Sequence, residues 1–368
     1  MPALHLRIPL TQIIRMEAFD VNTLQTPALL VDLDIMEANL QKMASFFKDK
    51  PCNIRPHFKN HKCLALAKKQ LAAGAIGITT ATLHETETLV NTGIASILVA
   101  NEVAGEANLK KLVALAVDNE ILLAVDNEKV VNDISRLSAG RIHKLSLVVD
   151  VDLGLRRCGV QPGIPALELA KKIIEEGLRF EGLMGYEGHL QRLDPCIENQ
   201  MIRKEAIYHL IATKRLLINN GIQVNIVSAG GTGTYSIAGN NEGITEVQAG
   251  NYLLMDTSYF PFAPDFQPAL SILTSVISVT PGERFVINAG IKEISAERGL
   301  PSLKSVKGAS LKTLHAEHGI VEIESQAFHV EVGNNVELAV YYSDGTVNLH
   351  RKMYGVRDGK VEEIFQIS

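Results

Sequence analysis

A short cationic segment, RPHFKNHK at residues 55–62, stands at the end of an apolar run. It contains two lysines, two histidines and an arginine. Neighbouring positive charges disfavour the charged form of a lysine, and a neutral amine can attack an aldehyde to form a Schiff base. The segment predicts a nucleophilic lysine, with a solvated basic loop as an equal alternative. Spacing does not decide between Lys59 and Lys62.

Two glycine-bearing segments have the composition of phosphate-binding loops. They are SAGGTG at 228–233, around Gly231, and QAGNY at 248–252, around Gly250. Successive backbone amides bind phosphate well, and the loops after strands seven and eight of a barrel often do so. The side chains of Thr232 and Asn251 add donors. A phosphate site is predicted, although glycine also serves tight turns.

Other polar residues follow predicted strands. Arg157 lies in LGLRRCGV, and the sequence YEGH begins at Tyr186. A carboxylate beside cations is a candidate proton acceptor, so Glu187 is a candidate base, with a salt bridge to Lys59 or Arg157 as the alternative. Toward the C-terminus, the segments 315–319 and 342–350 hold scattered metal-ligand types without the paired spacing of a strong metal site.

Eight short apolar runs alternate with amphipathic stretches, which is typical of repeated βα units. The runs are 53–58, 76–81, 96–101, 121–126, 145–151, 180–188, 224–230 and 245–250. Helices are predicted at 110–119, 165–177 and 202–221, two of them ending at Gly177 and Gly221. The count favours an α/β fold with a closed parallel (β/α)8 barrel of the TIM type. After residue 265 the pattern predicts an antiparallel β-domain, including a strand TVNLH, while PALLVDL at 27–33 can pair with either domain.

Composition sets further limits. The chain has 368 residues, enough for two domains, and a formal charge of -5 that gives no general attraction to nucleic acid or to an anionic membrane. The N-terminal apolar stretch is interrupted by Arg7 and Arg15, which makes a secretory signal unexpected. No run of 18 apolar residues predicts a membrane span. Four cysteines without paired spacing fit a reducing cytoplasm.

The ordered motifs resemble those of the D-threonine aldolase and D-serine dehydratase-like enzymes, which have an alanine racemase-type fold and use pyridoxal phosphate. The matching segments include TPALLVDLD, RPHFKNHK, GITTATLHE, NEVAG, RRCGV, GGTGT, EVQAGNYLLMD, NAGIK and TVNLH. The resemblance implies a cofactor-binding barrel over 34–262, an antiparallel β-domain from 1–33 plus 263–368, and a homodimer.

The same resemblance implies site roles. Lys59 matches the lysine that carries the cofactor, Arg157 an arginine beside it, and Tyr186 a tyrosine near its ring. Further cofactor positions are Gln191, Thr232, Gly250 and Asn251, to which the glycine-loop pattern adds Gly231.

Two positions depart from the family pattern. The aldolases place a histidine two residues before an aspartate as ligands of a divalent metal, the dehydratases having cysteine in place of the aspartate. Here the pair is Tyr342 and Asp344, so the metal is doubtful. The aldolases also usually carry histidine in the turn where this chain has Glu187.

These features predict a pyridoxal-phosphate lyase, an aldolase that cleaves the Cα–Cβ bond of small β-hydroxy D-amino acids, with Lys59, Glu187 and Tyr186 as catalytic residues. An amino acid racemase is the main alternative because it needs no metal. A D-serine or D-hydroxyaspartate dehydratase is third, and a cofactor-binding protein without turnover is the non-enzyme alternative.

Overall fold

The computed structural model describes residues 17–140, 143–304, 306–325 and 329–368. The chain divides into two compact units: the first comprises residues up to Met36, His61–Lys69 and Ala269–Ser368, and the second comprises Glu37–Asn60 and Gln70–Pro268. The segment His61–Lys69 thus lies in the first unit, whereas the predicted boundaries give it to the barrel. The prediction that the N-terminal stretch is not a secretory signal concerns mainly residues 1–16, which lie outside the described residues. No helix of the described residues is long and apolar enough to cross a membrane.

The described residues form two sheets and nine α-helices. In chain order the strands are β1 Phe19–Asp20, β2 Ala28–Asp32, β3 Asn53–Ile54, β4 Ile78–Thr80, β5 Ile97–Val99, β6 Ile121–Val125, β7 Leu145–Val151, β8 Arg179–Gly185, β9 Ile226–Ala229, β10 Glu246–Val247, β11 Leu270–Thr280, β12 Arg284–Ile287, β13 Ser302–Leu303, β14 Ala309–Leu314, β15 Gly319–Ile323, β16 Asn335–Ala339, β17 Lys352–Arg357 and β18 Lys360–Gln366. The helices are α1 Leu33–Phe47, α2 Leu64–Ala72, α3 Leu83–Val90, α4 Glu106–Leu115, α5 Glu128–Ser138, α6 Ile164–Glu175, α7 Ile197–Asn219, α8 Tyr235–Gly239 and α9 Ser343–Val347.

The second unit contains a closed parallel barrel. Its strands are ordered β4-β5-β6-β7-β8-β9-β10-β3, and each adjacent pair is parallel. The ring closes just beyond β3, where His57 pairs in parallel with Thr79 and the Thr79 amide donates to the Pro56 carbonyl at 2.9 Å. The predicted (β/α)8 barrel and its eight strand positions are therefore confirmed.

The barrel strands are apolar because both of their faces are covered. Every residue of β7 is buried, as expected for a parallel strand between an inner core and outer helices. Inside the barrel, Leu98, Ala124, Val148 and Met184 from four successive strands pack together. This layer forms a solid floor inside the barrel, so chemistry is left to the loops at the strand ends.

Local sequence signals fix where several helices begin and end. The Thr82 and Asn127 side chains accept hydrogen bonds from the third helical amides of α3 and α5, at 3.2 and 3.0 Å. Gly177 and Gly221 follow α6 and α7 with φ of 72° and 78°, a left-handed conformation that glycine adopts without strain. The predicted stops of these two helices are confirmed.

The first unit is a mostly antiparallel sheet ordered β1-β18-β17-β2-β11-β12-β15-β14, in which β16 also pairs with β11 and β13 pairs with β16. The segment PALLVDL forms β2 in this sheet, between β11 and β17, and its pairing with β17 is parallel. One prediction is wrong: residues of TVNLH are not a strand, because α9 occupies Ser343–Val347.

Candidate active site

The barrel unit contains a cavity of about 320 Å³ at the carboxyl ends of its strands. A cavity of this size suits a small ligand. Several predicted site residues line it, namely Lys59, Arg157, Tyr186, Gly231, Thr232, Gly250 and Asn251. Sequence reasoning missed His57, Gln248 and Tyr259, which also line it. His57 and Gln248 lie just past strand ends, a position that could have identified them.

Lys59 lies on the single helical turn Phe58–Asn60, directly after the strand that closes the barrel. Its neighbours Phe58 and Asn60 are fully buried, which fixes the turn and leaves the Lys59 side chain at the cavity wall. Lys62 is different, since its Nζ donates to Asn348 Oδ1 at 2.6 Å within the first unit. This geometry favours Lys59 over Lys62 as the nucleophile.

The same cationic segment also contains a structural charge. Arg55 is buried, and its guanidinium donates to both carboxylate oxygens of Glu246 at 2.9–3.0 Å and to the Ser96 carbonyl at 2.7 Å. A buried arginine needs such partners to offset its desolvation. The pairing removes part of the positive crowding that the sequence predicted around Lys59.

A tightly turned loop carries Arg157 after β7. The Asp152 carboxylate accepts hydrogen bonds from the amides of Gly154 and Arg156 at 2.9 and 3.0 Å. Gly159 has φ of 98°, and a β-carbon there would lie 2.6 Å from the Asp152 nitrogen, so only glycine fits. The loop places the Arg157 guanidinium 5.8 Å from the ring centre of Tyr186.

The two glycine-bearing loops meet at the cavity. The Tyr252 amide donates to Thr232 Oγ1 at 3.0 Å, which ties the loop after β9 to the loop after β10. Two of the amides predicted to hold phosphate are already used within the protein. Gly231 donates to Thr234 Oγ1 at 3.1 Å, and Gly233 donates to Gln191 Oε1 at 2.9 Å. The remaining candidates on the cavity wall are Thr232 and the Gly250–Asn251 backbone.

Glu187 and Gln191 do not line the cavity. Glu187 is fully buried, and its Oε1 accepts hydrogen bonds from Thr234 Oγ1 at 2.5 Å and Gln191 Nε2 at 3.0 Å. Gln191 also accepts from the Tyr259 hydroxyl at 3.0 Å. Both predicted residues therefore support the glycine loop from behind, through Thr234 and the Gly233 amide. Burial raises the pKa of Glu187, while the bond from Thr234 opposes that shift.

A group of acidic side chains lies near Arg157. Ligand atoms of Glu102, Asp126 and Cys158 lie within 4.8 Å of one another. Burial and a hydrogen bond with Glu102 raise the pKa of Asp150 well above its usual range. Burial and, to a smaller extent, the neighbouring Glu102 raise the pKa of the Cys158 thiol to about 11. The thiol is thus neutral at pH 7 and is not a thiolate nucleophile.

Tyr342 and Asp344 lie in the first unit at the start of α9. The Arg298 guanidinium stands 4.8 Å from the ring centre of Tyr342. Burial and the Asp344 charge raise the pKa of Tyr342, and a hydrogen bond from Arg298 opposes this. Among the described residues, one group of three side chains could hold a metal ion, and it is Glu102, Asp126 and Cys158 in the barrel unit. It includes neither Asp344 nor a histidine.

Comparison with known proteins accounts for this arrangement. The sequence profile described as "Alanine racemase, N-terminal domain" matches residues 31–258, and a serine dehydratase domain profile matches 269–356. The chain belongs to the family described by the alanine racemase N-terminal domain profile. It is 34% identical to a D-threonine aldolase of Arthrobacter sp over 93% of this chain and 92% of that one. It is 30% identical to a 3-hydroxy-D-aspartate aldolase of Paracoccus denitrificans over 95% and 93% of the two chains.

A solved structure agrees with this membership. The crystal structure of D-threonine aldolase from Filomicrobium marinum superposes with a TM-score of 0.91 at 32% identity, covering 96% of this chain and 98% of that one. The resemblance to the D-threonine aldolase and D-serine dehydratase-like enzymes is therefore confirmed, and so is the alanine racemase-like fold.

Proposed function

We propose that this protein is a pyridoxal-phosphate-dependent lyase, an aldolase that cleaves the Cα–Cβ bond of small β-hydroxy D-amino acids. The observation that carries the proposal is the cavity at the carboxyl ends of the barrel strands, where Lys59 and both glycine-bearing loops line one space. The similarity to two named D-amino acid aldolases over nearly the whole chain supports the same reaction class.

The residues of the cavity fit pyridoxal phosphate. Lys59 supplies the primary amine that binds an aldehyde carbon, and the Thr232 hydroxyl with the Gly250–Asn251 backbone suits a phosphate. A β-carbon at Gly250 would lie 3.0 Å from the His57 carbonyl oxygen, so glycine lets the two cavity-lining segments pack closely. Arg157 and Tyr186 complete the wall. When bound, the cofactor stores the electron pair released by the broken bond.

The protein's own groups would orient the substrate and move its protons. Ala100 and Met184 line the cavity where it meets the packed layer inside the barrel, so that side of the cavity is apolar and closed to water. Because Glu187 is buried behind the loop, we do not assign it the β-hydroxyl proton. Lys59 lines the cavity, and an amine is one of the side chains that transfer protons in general acid–base catalysis.

Racemisation is the second candidate, and one observation favours it. Tyr342 replaces the histidine expected beside a metal, and Cα deprotonation needs no metal. Dehydration is third, since expulsion of hydroxide benefits from a Lewis acid. A protein that binds the cofactor without turnover would give no product at all.

A product screen separates these reactions. D-threonine, D-3-hydroxyaspartate, D-serine and D-alanine are each incubated with the purified protein and assayed for aldehyde, keto acid and the opposite enantiomer. We expect an aldehyde and glycine from D-threonine. Release of a keto acid and ammonia would instead identify a dehydratase, and formation of L-alanine a racemase.

Further expectations accompany this function. We propose a homodimer that takes a small amino acid as substrate, acts in the cytoplasm and binds neither nucleic acid nor membrane. The charge of -5 supports the last two points. Sedimentation at several protein concentrations tests the dimer, with a monomer at all of them as the contrary result.

A further inference from the structure

The donor set at Tyr342 and Asp344 does not suit a divalent ion. The family resemblance implies a metal held there by an imidazole and a carboxylate. Here the imidazole is replaced by a phenol, and proteins bind divalent ions mainly through carboxylate, imidazole, thiolate and carbonyl groups. Among the described residues, no third His, Cys, Asp or Glu side chain joins Asp344 in a ligand group.

A positive charge already stands at this position. The guanidinium of Arg298 lies over the Tyr342 ring, 4.8 Å from its centre. Asp344 lies two residues after Tyr342, in the first turn of α9, so a ligand on its carboxylate would lie beside the side chain that Arg298 contacts. A divalent ion on Asp344 would therefore be close to a fixed cation and would be repelled by it.

The loop that carries Arg298 is fastened to α9. The Ser295 amide donates to Thr346 Oγ1 at 3.2 Å, and His350 Nε2 is 2.8 Å from the Glu293 carbonyl oxygen. At Gly299 a β-carbon would lie 2.5 Å from the Tyr341 ring, so glycine allows the chain to approach closely. These contacts on both sides of Arg298 hold the backbone of its loop against α9 and Tyr341.

We infer that Arg298 takes the place of the divalent metal implied by the family, and that this protein binds no such ion at Asp344. The inference deepens the proposed function and, for its catalytic meaning, rests on it. Arg298 is a positioning residue that holds the Tyr342 side chain through the contact of its guanidinium with the ring.

Mn²⁺ binding to chelator-treated holoenzyme tests this inference without reference to turnover. Free Mn²⁺ is counted from its paramagnetic resonance signal during titration. We expect no saturable binding by the wild-type protein. The double variant Tyr342→His/Arg298→Gln should bind one ion per chain. Saturable binding by the wild type that is lost in Asp344→Asn would overturn the inference.

A matched control isolates the role of Arg298. Tyr342→His/Arg284→Gln removes the same charge at an exposed arginine paired with Glu283, elsewhere in the same unit. The Arg298 double variant should bind Mn²⁺ at least about tenfold more tightly than this control, since charge repulsion at a few ångströms is of that order even in water. Equal affinities would show that Arg298 does not exclude the metal. Circular dichroism verifies that the variants fold, and because binding is counted directly, failure of the aldolase assay leaves this result unaffected.

Discussion

The barrel cavity and the Tyr342 region use side chains in different ways. The cavity is built from a lysine, glycines and backbone at several strand ends. A metal at Tyr342 and Asp344 would depend on two side chains, and one of them has changed. A site built largely from backbone tolerates sequence change, whereas a site of two ligands is lost with one replacement. This protein keeps the first and has altered the second.

The largest effect is expected at the cavity lysine. Lys59→Ala should remove covalent cofactor attachment and lower kcat/KM by at least about 10⁴-fold, or ~5.5 kcal/mol. Borohydride treatment of the wild type followed by peptide mass analysis should find the pyridoxyl group on Lys59. Lys62→Ala is the control: Lys62 binds Asn348 within the first unit, so this variant should still carry the label on Lys59. A label on Lys62 contradicts the assignment.

The next largest effect is expected at the buried ion pair between Arg55 and Glu246, which does not line the cavity. Glu246→Gln leaves the buried Arg55 charge without its partner, and such loss typically costs about 3–5 kcal/mol of unfolding free energy. Urea unfolding monitored by circular dichroism measures it. Cofactor affinity of the folded protein should stay within about twofold, since a mutation away from the cavity leaves its groups in place. A large loss of cofactor affinity would place Glu246 in the site itself.

A moderate effect is expected at Gly233, where the loop after β9 packs against Gln191. In Gly233→Ala the new β-carbon would lie 2.1 Å from the Gln191 carbonyl oxygen, so the loop must shift. Titration of the apoprotein with pyridoxal phosphate should show an affinity about 10- to 100-fold weaker, because a shift of about 1 Å is costly in such sites. Gly250→Ala, with its nearest atoms at 3.0 Å, should lose less.

The control for both is Gly163→Ala, where the added carbon meets no atom within 4 Å. Its positive φ gives backbone strain without a clash, so it should lower stability and leave cofactor affinity unchanged. If Gly233→Ala retains full affinity, the loop serves structure alone.

The smallest effect is expected at Glu187. Burial raises its pKa, so the folded state binds more protons than the unfolded state, and stability falls as pH rises through the range between the unfolded and folded pKa values. Glu187→Gln should remove this slope and keep kcat within about tenfold, as expected for a residue outside the reacting groups. Urea unfolding at pH 4 to 8 and a pH profile of kcat provide the two readings. A loss of kcat above about a hundredfold would restore Glu187 as the base.

Sequence patterns predicted the barrel well because its signals are local. Apolar runs mark the strands, and Gly177 and Gly221 mark helix ends. The pattern failed for TVNLH, since α9 is held by the Ser295–Thr346 and His350–Glu293 contacts from a distant loop. Such tertiary contacts override the strand propensity of a short apolar segment.

The candidate site was predicted in part. Residues that end strands line the cavity as expected, but the position of Glu187 was not foreseen. Tyr186 lines the cavity, whereas Glu187, at the turn into the next short helix, has a backbone outside the extended region (φ -91°, ψ 52°) and is fully buried. Spacing along the sequence does not reveal which of two neighbours faces the ligand.

The most direct test of the whole interpretation is aldehyde release from D-threonine by the holoenzyme before and after exhaustive chelator treatment. If the cofactor chemistry is intact and Arg298 replaces the metal, both samples should release acetaldehyde and glycine in equal amounts and at the same rate. Acetaldehyde formation that stops with the chelator and returns with Mn²⁺ would contradict the metal-independent site, and a keto acid in place of acetaldehyde would contradict the aldolase itself.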